Sequence, residues 1–105
     1  MLELRPNCEL CDVDLPPDAP NAMICTYECT YCVTCVQTHL HGDVCPKCGG
    51  NFQPRPIRPR KAWRADRALG LDHHPASATR VHTPFDMDNI RAFVARVAGF
   101  APEDR

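Results

Sequence analysis

The 105-residue sequence predicts a small α+β domain stapled by metal ions, with a basic arm and a C-terminal amphipathic helix behind it. Three observations predict this class. All eight cysteines lie between Cys8 and Cys48, mostly in Cys-x-x-Cys pairs. The same stretch has few large apolar side chains. An apolar stripe at helical spacing, Ile90, Phe93, Val94 and Val97, stands apart near the end.

The cysteine spacing carries the chemistry. Two intervening residues form a tight turn that brings both sulfurs to one side of the backbone, at the roughly 2.3 Å bond length of a tetrahedral zinc ion. A disulfide between such neighbours would be strained. Cys8, Cys11, Cys25, Cys29, Cys32, Cys35, Cys45 and Cys48 divide into two four-thiolate sites, and a site closed by four protein ligands leaves no position for water or substrate. Two structural zinc ions are therefore expected. Two pairings satisfy the spacing. In the interleaved one, Cys8, Cys11, Cys32 and Cys35 hold one ion while Cys25, Cys29, Cys45 and Cys48 hold the other. In the sequential one, the first four cysteines share an ion and the last four share the second.

Energetics point the same way. The main apolar side chains of the head are Leu2, Leu4, Leu10, Met23, Ile24, Tyr27, Tyr31, Leu40 and Phe52. Ordering a chain costs about 1.5 kcal/mol per residue, and a domain this small rarely closes that gap without disulfides or metal. The opening Met1–Pro6 has no apolar run of signal-peptide length, so the thiols are expected to stay reduced in a cytoplasmic setting. No window holds the ~18 consecutive apolar residues of a membrane span.

Local patterns place the elements. Residues 22–31 read as a short β-hairpin with ligands at its tip. Cys32–Leu40 lacks glycine and proline and reads as one or two helical turns ended by Gly42. Pro16, Pro17 and Pro20 make 14–20 a loop. Pro54, Pro56 and Pro59 favour an exposed, polyproline-like arm outside any sheet. A short helix is expected over Lys61–Leu71, and a loop over His73–Val81. Thr83-Pro84-Phe85-Asp86 reads as a helix start with Thr83 as cap and Pro84 at the first helical position. That helix, about 15 residues long, should end at Gly99, with Phe100 folding back on Val94 or Ala95. Three segments follow: a two-zinc head (1–52), a basic arm and loop (53–82) and an amphipathic helix (83–100).

The segments differ in charge. Residues 1–50 carry Arg5 and Lys47 against seven acids, a net −5, whereas 51–67 carry six cations against Asp66, a net +5. Two zinc ions on eight thiolates would add about −4 to the head. The arm can neutralise this head, or it can track the phosphates of a nucleic acid with Trp63 nearby; the first reading is the simpler. The stripe Ile90, Phe93, Val94, Val97 needs a cover: the chain's own head, a second copy, or another protein.

Catalysis finds little support. A Cys–His nucleophile needs a free thiolate, and the metal sites use all eight. His39 and His41 read as an exposed helix-end pair, and His73, His74 and His82 as loop residues. Asp86 and Asp88 suit the start of a helix. The protein is expected not to be an enzyme.

Several motifs resemble known families. Cys45-Pro46-Lys47-Cys48-Gly49-Gly50 is similar to the zinc knuckle of zinc ribbons and rubredoxins. The ligand order resembles a RING finger with cysteine at every position, and Leu10, Met23, Ile24, Tyr31, Val36, Leu40 and Pro46 match its apolar neighbours. That resemblance implies the interleaved cross-brace and a treble-clef arrangement of hairpin and helix between knuckles. LIM domains share the gaps around Cys29, Cys32 and Cys35 but have a longer final loop. In RING ubiquitin ligases, Leu10 and Pro46 would stand at positions that contact the conjugating enzyme. Against that reading, no tryptophan lies between Cys35 and Cys45, and Gly49 replaces a basic residue. More specifically, Met1–Cys8, Asp14-Leu15-Pro16-Pro17, Ala22–Cys25, Glu28-Cys29-Thr30 and Cys45–Gly50 resemble a bacterial family of short cysteine-rich proteins, known by the domain-of-unknown-function label DUF1272. This resemblance covers residues 1 to about 60. It implies a bacterial cytosolic zinc protein and names no substrate; the role expected of this chain is that of a protein-interaction adaptor.

Overall fold

The computed structural model describes residues 1–105 as a small α+β fold. Strand β1 (Ala22–Cys25) pairs antiparallel with β2 (Thr30–Cys32), Met23 opposite Tyr31. Its other edge takes β3 (Phe52–Pro54), with Ile24 opposite Gln53, giving the order β2-β1-β3. Helix α1 (Val33–His39) follows β2 directly and α2 (Met87–Val97) comes late in the chain. A 3-10 turn, Pro102–Asp104, closes it.

The hairpin and α1 lie where residue preferences place them. Cys32 ends β2 in extended conformation and its sulfur accepts the Cys35 amide, so one residue is both strand end and helix cap. Beyond His39, Gly42 takes φ +73° and donates its amide to Val36 O at 2.9 Å, the left-handed stop expected of glycine.

Four local expectations are corrected. The arm does not stay outside the sheet: Phe52–Pro54 form β3, with Pro54 at the outer end of an edge strand, and Arg55 is buried. Lys61–Leu71 forms turns rather than a helix. Helix α2 is 11 residues long and starts at Met87, because the cap is Asp86, in extended backbone, whose side chain accepts the Asn89 amide at 2.8 Å. Thr83 is instead buried, its amide bonded to Glu9 O at 2.8 Å. The helix is capped at Ala98, ahead of Gly99, and Phe100, 55% exposed, lines a hollow with Phe93 and Val97 rather than with Val94 or Ala95. Asp86→Ala is expected to cost about 1 kcal/mol in chemical unfolding of the metal-loaded protein, while Thr83→Val leaves the helix start intact.

The core explains why so little apolar surface suffices. Six of the seventeen buried apolar residues are cysteines, and Tyr31 sits among them with its ring edge-on to Phe52 at 5.5 Å. Leu15, Val36, Leu40 and Val44 join them, whereas Tyr27 at the hairpin tip is exposed. Ile90 and Val94 of α2 are fully buried in the same cluster, with Phe93 and Val97 partly buried beside it. The stripe is thus covered by the chain's own head. No helix is long and apolar enough to cross a membrane.

Candidate metal centre

The eight cysteines, all free, converge in two groups of four whose sulfurs lie within 4.8 Å of one another. The first group is Cys8, Cys11, Cys32 and Cys35; the second is Cys25, Cys29, Cys45 and Cys48. The grouping is interleaved: the hairpin carries Cys25 and Cys29 of the second group at its tip and delivers Cys32 to the first at its base.

Backbone geometry aims each sulfur. In the first knuckle, Asp12 takes φ +66° and donates to Cys8 O at 2.9 Å, so the Cys11 amide points at Cys8 Sγ, 3.5 Å away. Cys35 N reaches Cys32 Sγ at 3.4 Å from the first turn of α1. In the second group, Glu28 at φ +67° turns the hairpin, and Tyr27 N points at Cys25 Sγ at 3.4 Å. Gly49 takes φ +81° after Cys48, which lets Gly50 N reach Cys48 Sγ at 3.4 Å. These amide dipoles stabilise negative sulfur.

Sulfur spacing tests whether zinc fits. Bonds of about 2.3 Å in a tetrahedron separate two sulfurs by about 3.8 Å. Cys11 Sγ and Cys32 Sγ are 3.7 Å apart, and Cys25 Sγ and Cys48 Sγ 3.5 Å. The donor sets therefore fit a four-coordinate ion with little movement.

Their acid–base balance suits a bound cation. Hydrogen bonds from Cys29 and then Cys45 hold the Cys25 thiol down to about 2, while Cys29, as donor to Cys25, is pushed up to about 12. Cys45 is raised by its bonds to Cys25 and Cys29, and Cys35 by burial and by the charge of Cys8. One thiolate is stabilised by its neighbours' S–H groups, and each further ionisation meets like charge. A bound cation would offset that repulsion and let the other thiols ionise.

Several polar residues hold the site through contacts that charge counting along the sequence does not show. Glu9 is fully buried, accepting from Arg5 at 2.7 Å and from the Thr30 amide, and so ties the first knuckle to β2. Their i,i+4 spacing was the available signal. Asn7 clasps Val81 through two hydrogen bonds at 2.8 and 3.2 Å. Arg55 donates to the carbonyls of Arg5, Leu15 and Pro16, and Arg58 to those of Leu2 and His74. Burial alone pushes the Arg55 pKa down. None of the six arm cations forms an ion pair, so the arm contributes no direct charge pairing with the head. The five histidines stand outside both groups. Pro46 is buried, and Leu10 lines a hollow with Phe85 and Met87 just ahead of Ile90.

Residues 1–58 match the family described as Protein of unknown function (DUF1272). The chain belongs to the DUF1272 family. It is also 54% identical over 84 residues to an uncharacterized protein of Rhizobium meliloti (strain 1021), across 80% of this chain and 89% of the relative. No solved structure matches it. The matched DUF1272 region spans both cysteine groups and all three strands, and ends at Arg58. Arg80, bonded to Asp12 and Asp14 at 3.0 and 2.7 Å, and α2 lie outside it.

Proposed function

We propose that this DUF1272 protein is a structural two-zinc module with a RING-like cross-brace, a cytoplasmic interaction adaptor rather than an enzyme. One observation carries the reading: eight thiols converge in two closed, interleaved groups of four at zinc spacing. Each ion would have all four positions filled by sulfur, which suits holding a fold and leaves no site to activate water. Zinc supplies the positive charge that lets the remaining thiols ionise. A hairpin followed directly by α1, between two knuckles, supports the treble-clef description.

The adaptor role rests on what surrounds the ions. Tyr27, Trp63, Phe85 and Phe100 remain exposed and offer apolar contacts to a partner. A ubiquitin-ligase role is disfavoured by the burial of Pro46. Metal analysis of protein expressed without added metal, with titration by Co²⁺, tests the core of the reading. Two equivalents per chain, each with sulfur-to-cobalt charge-transfer bands, are expected; one equivalent, or oxygen–nitrogen spectra, would refute it.

A further inference from the structure

The arm cations divide into two kinds. Arg55 and Arg58 are internal clamps on backbone carbonyls. The other four, Arg60, Lys61, Arg64 and Arg67, are exposed on one closed loop. Leu71 N donates to Pro59 O at 3.1 Å and Arg60 O at 3.2 Å, which ties the loop's ends together. Gly70, at φ +86°, presses so close that a Cβ would lie 2.7 Å from Arg60 O. His73 and His74 amides bond Gly70 O, and their rings reach the carbonyls of Leu69 and Ala68 at 3.1 and 2.8 Å. Residues 60–70 are therefore a compact Ω-loop on a stem clamped to the head by Arg58 at Leu2 O and His74 O, both 2.6 Å.

This fixed loop carries four cations against Asp66, a net +3, and no cation on it has an ion-pair partner. Arg5, Arg80 and Arg105 elsewhere each find a carboxylate. Trp63, the chain's one tryptophan, stands among the loop cations 80% exposed. An indole this exposed, on a loop whose four cations lack ion-pair partners, serves no packing purpose.

We propose that the Ω-loop 60–70 binds single-stranded nucleic acid. Trp63 stacks on a base, and Arg60, Lys61, Arg64 and Arg67 contact the flanking phosphates. The single strand is favoured over a duplex because the loop offers neither helix nor β-ribbon to enter a groove. It is favoured over an anionic lipid surface because Trp63 has no broad apolar face beside it: only Leu69, 39% exposed, adds a large apolar side chain on the loop. The acidic head limits contact to a short stretch of strand, and the phosphate contacts make binding weaken as salt rises. This site goes beyond the adaptor reading and depends on the metal sites only for the fold of the stem.

The test uses the full, metal-loaded chain and the fluorescence of Trp63. Oligo-deoxythymidine of about a dozen nucleotides is expected to quench it saturably, with a log–log salt slope of about −3 for four phosphate contacts. By anisotropy of a labelled oligonucleotide, Trp63→Ala and the double change Arg64→Ser with Arg67→Ser should each weaken binding by about tenfold or more. Gly70→Ala, which removes no contacting group but forces the loop ends apart, should also weaken it. Zinc content of each variant, measured alongside, should stay at the parent value. The proposal is overturned by absence of quenching, by affinity indifferent to the arginine changes, or by equal quenching with dextran sulfate, which has charge but no bases. Binding to phosphatidylglycerol vesicles with a blue-shifted Trp63 and none to the oligonucleotide would assign the loop to a lipid surface instead.

Discussion

Removal of both metal ions by a strong chelator at neutral pH is expected to unfold the whole head, with loss of far-UV signal and rapid proteolysis. The magnitudes decide this. A structural zinc site contributes about 10–16 kcal/mol in zinc-finger peptides, as much as the entire ~5–15 kcal/mol stability of ordinary domains. Here the ligands are themselves core: Cys8 and Cys45 are fully buried, and Tyr31 packs among the sulfurs. Without a cation, buried thiols remain where the fold wants compact charge balance. Interleaving adds a sharper expectation for Cys45→Ser. The β1–β2 hairpin carries Cys25 and Cys29 at its tip and Cys32 at its base, so loosening one site loosens the frame of the other. Metal content should fall well below one equivalent rather than to one. Acid should act in the same direction, since protons compete with metal for thiolate and metal is lost as pH falls. A metal-free protein that keeps its spectrum and protease resistance would sink this account.

How far the sequence reveals this molecule follows from the range of each interaction. Cys-x-x-Cys turns, the hairpin over 22–31 and the helix after Cys32 depend on neighbours a few residues away, so spacing and residue type suffice to read them. Interleaved against sequential grouping is a question of chain crossing; spacing leaves it open, and the apolar neighbours Tyr31 and Val36 lean it toward interleaving only through family resemblance. The errors lie where distant partners decide. Phe52–Pro54 becomes a strand because the free edge of β1 takes it up, despite its proline. Lys61–Leu71 has helix-tolerant residues, yet the ring of bonds closing at Gly70 captures its ends. Thr83 was an adequate cap by type, but Glu9 O takes its amide and the helix begins at Asp86 instead.

Charge teaches a related lesson. A +5 arm beside a −5 head suggests mutual neutralisation, yet the head's acids find other partners: Glu9 takes Arg5, Asp12 and Asp14 take Arg80, Asp43 takes Arg105. Arg55 and Arg58 bond carbonyls because a planar guanidinium reaches several acceptors at once. Net charge along a chain says where cations are plentiful, not which oxygen each one meets.

Replacing Ile90 by alanine is expected to cost about 2–4 kcal/mol in the metal-loaded protein, and the further change Val94→Ala to release α2 altogether. Both side chains are fully buried in the head's cluster. An 11-residue helix has no stability of its own in water, so its order comes from this contact. The remaining ties are polar: Arg105 donates to the carbonyls of Asp43 and Gly49 at 3.0 and 3.2 Å and pairs with Asp43 at 2.9 Å. Those bonds anchor the end of the chain and cannot replace the lost packing. Amide exchange over residues 87–98 should therefore lose its protection in the double variant, while the sheet keeps its own so long as both ions are bound. The same variant exposes Phe93 and Val97 beside Gly49, where Val97 comes within 3.5 Å of a Cβ position. It should then self-associate on concentration, which sedimentation would detect. If the helix amides stay protected, the docking of α2 does not depend on Ile90 and Val94, and the stripe must serve a contact between molecules instead.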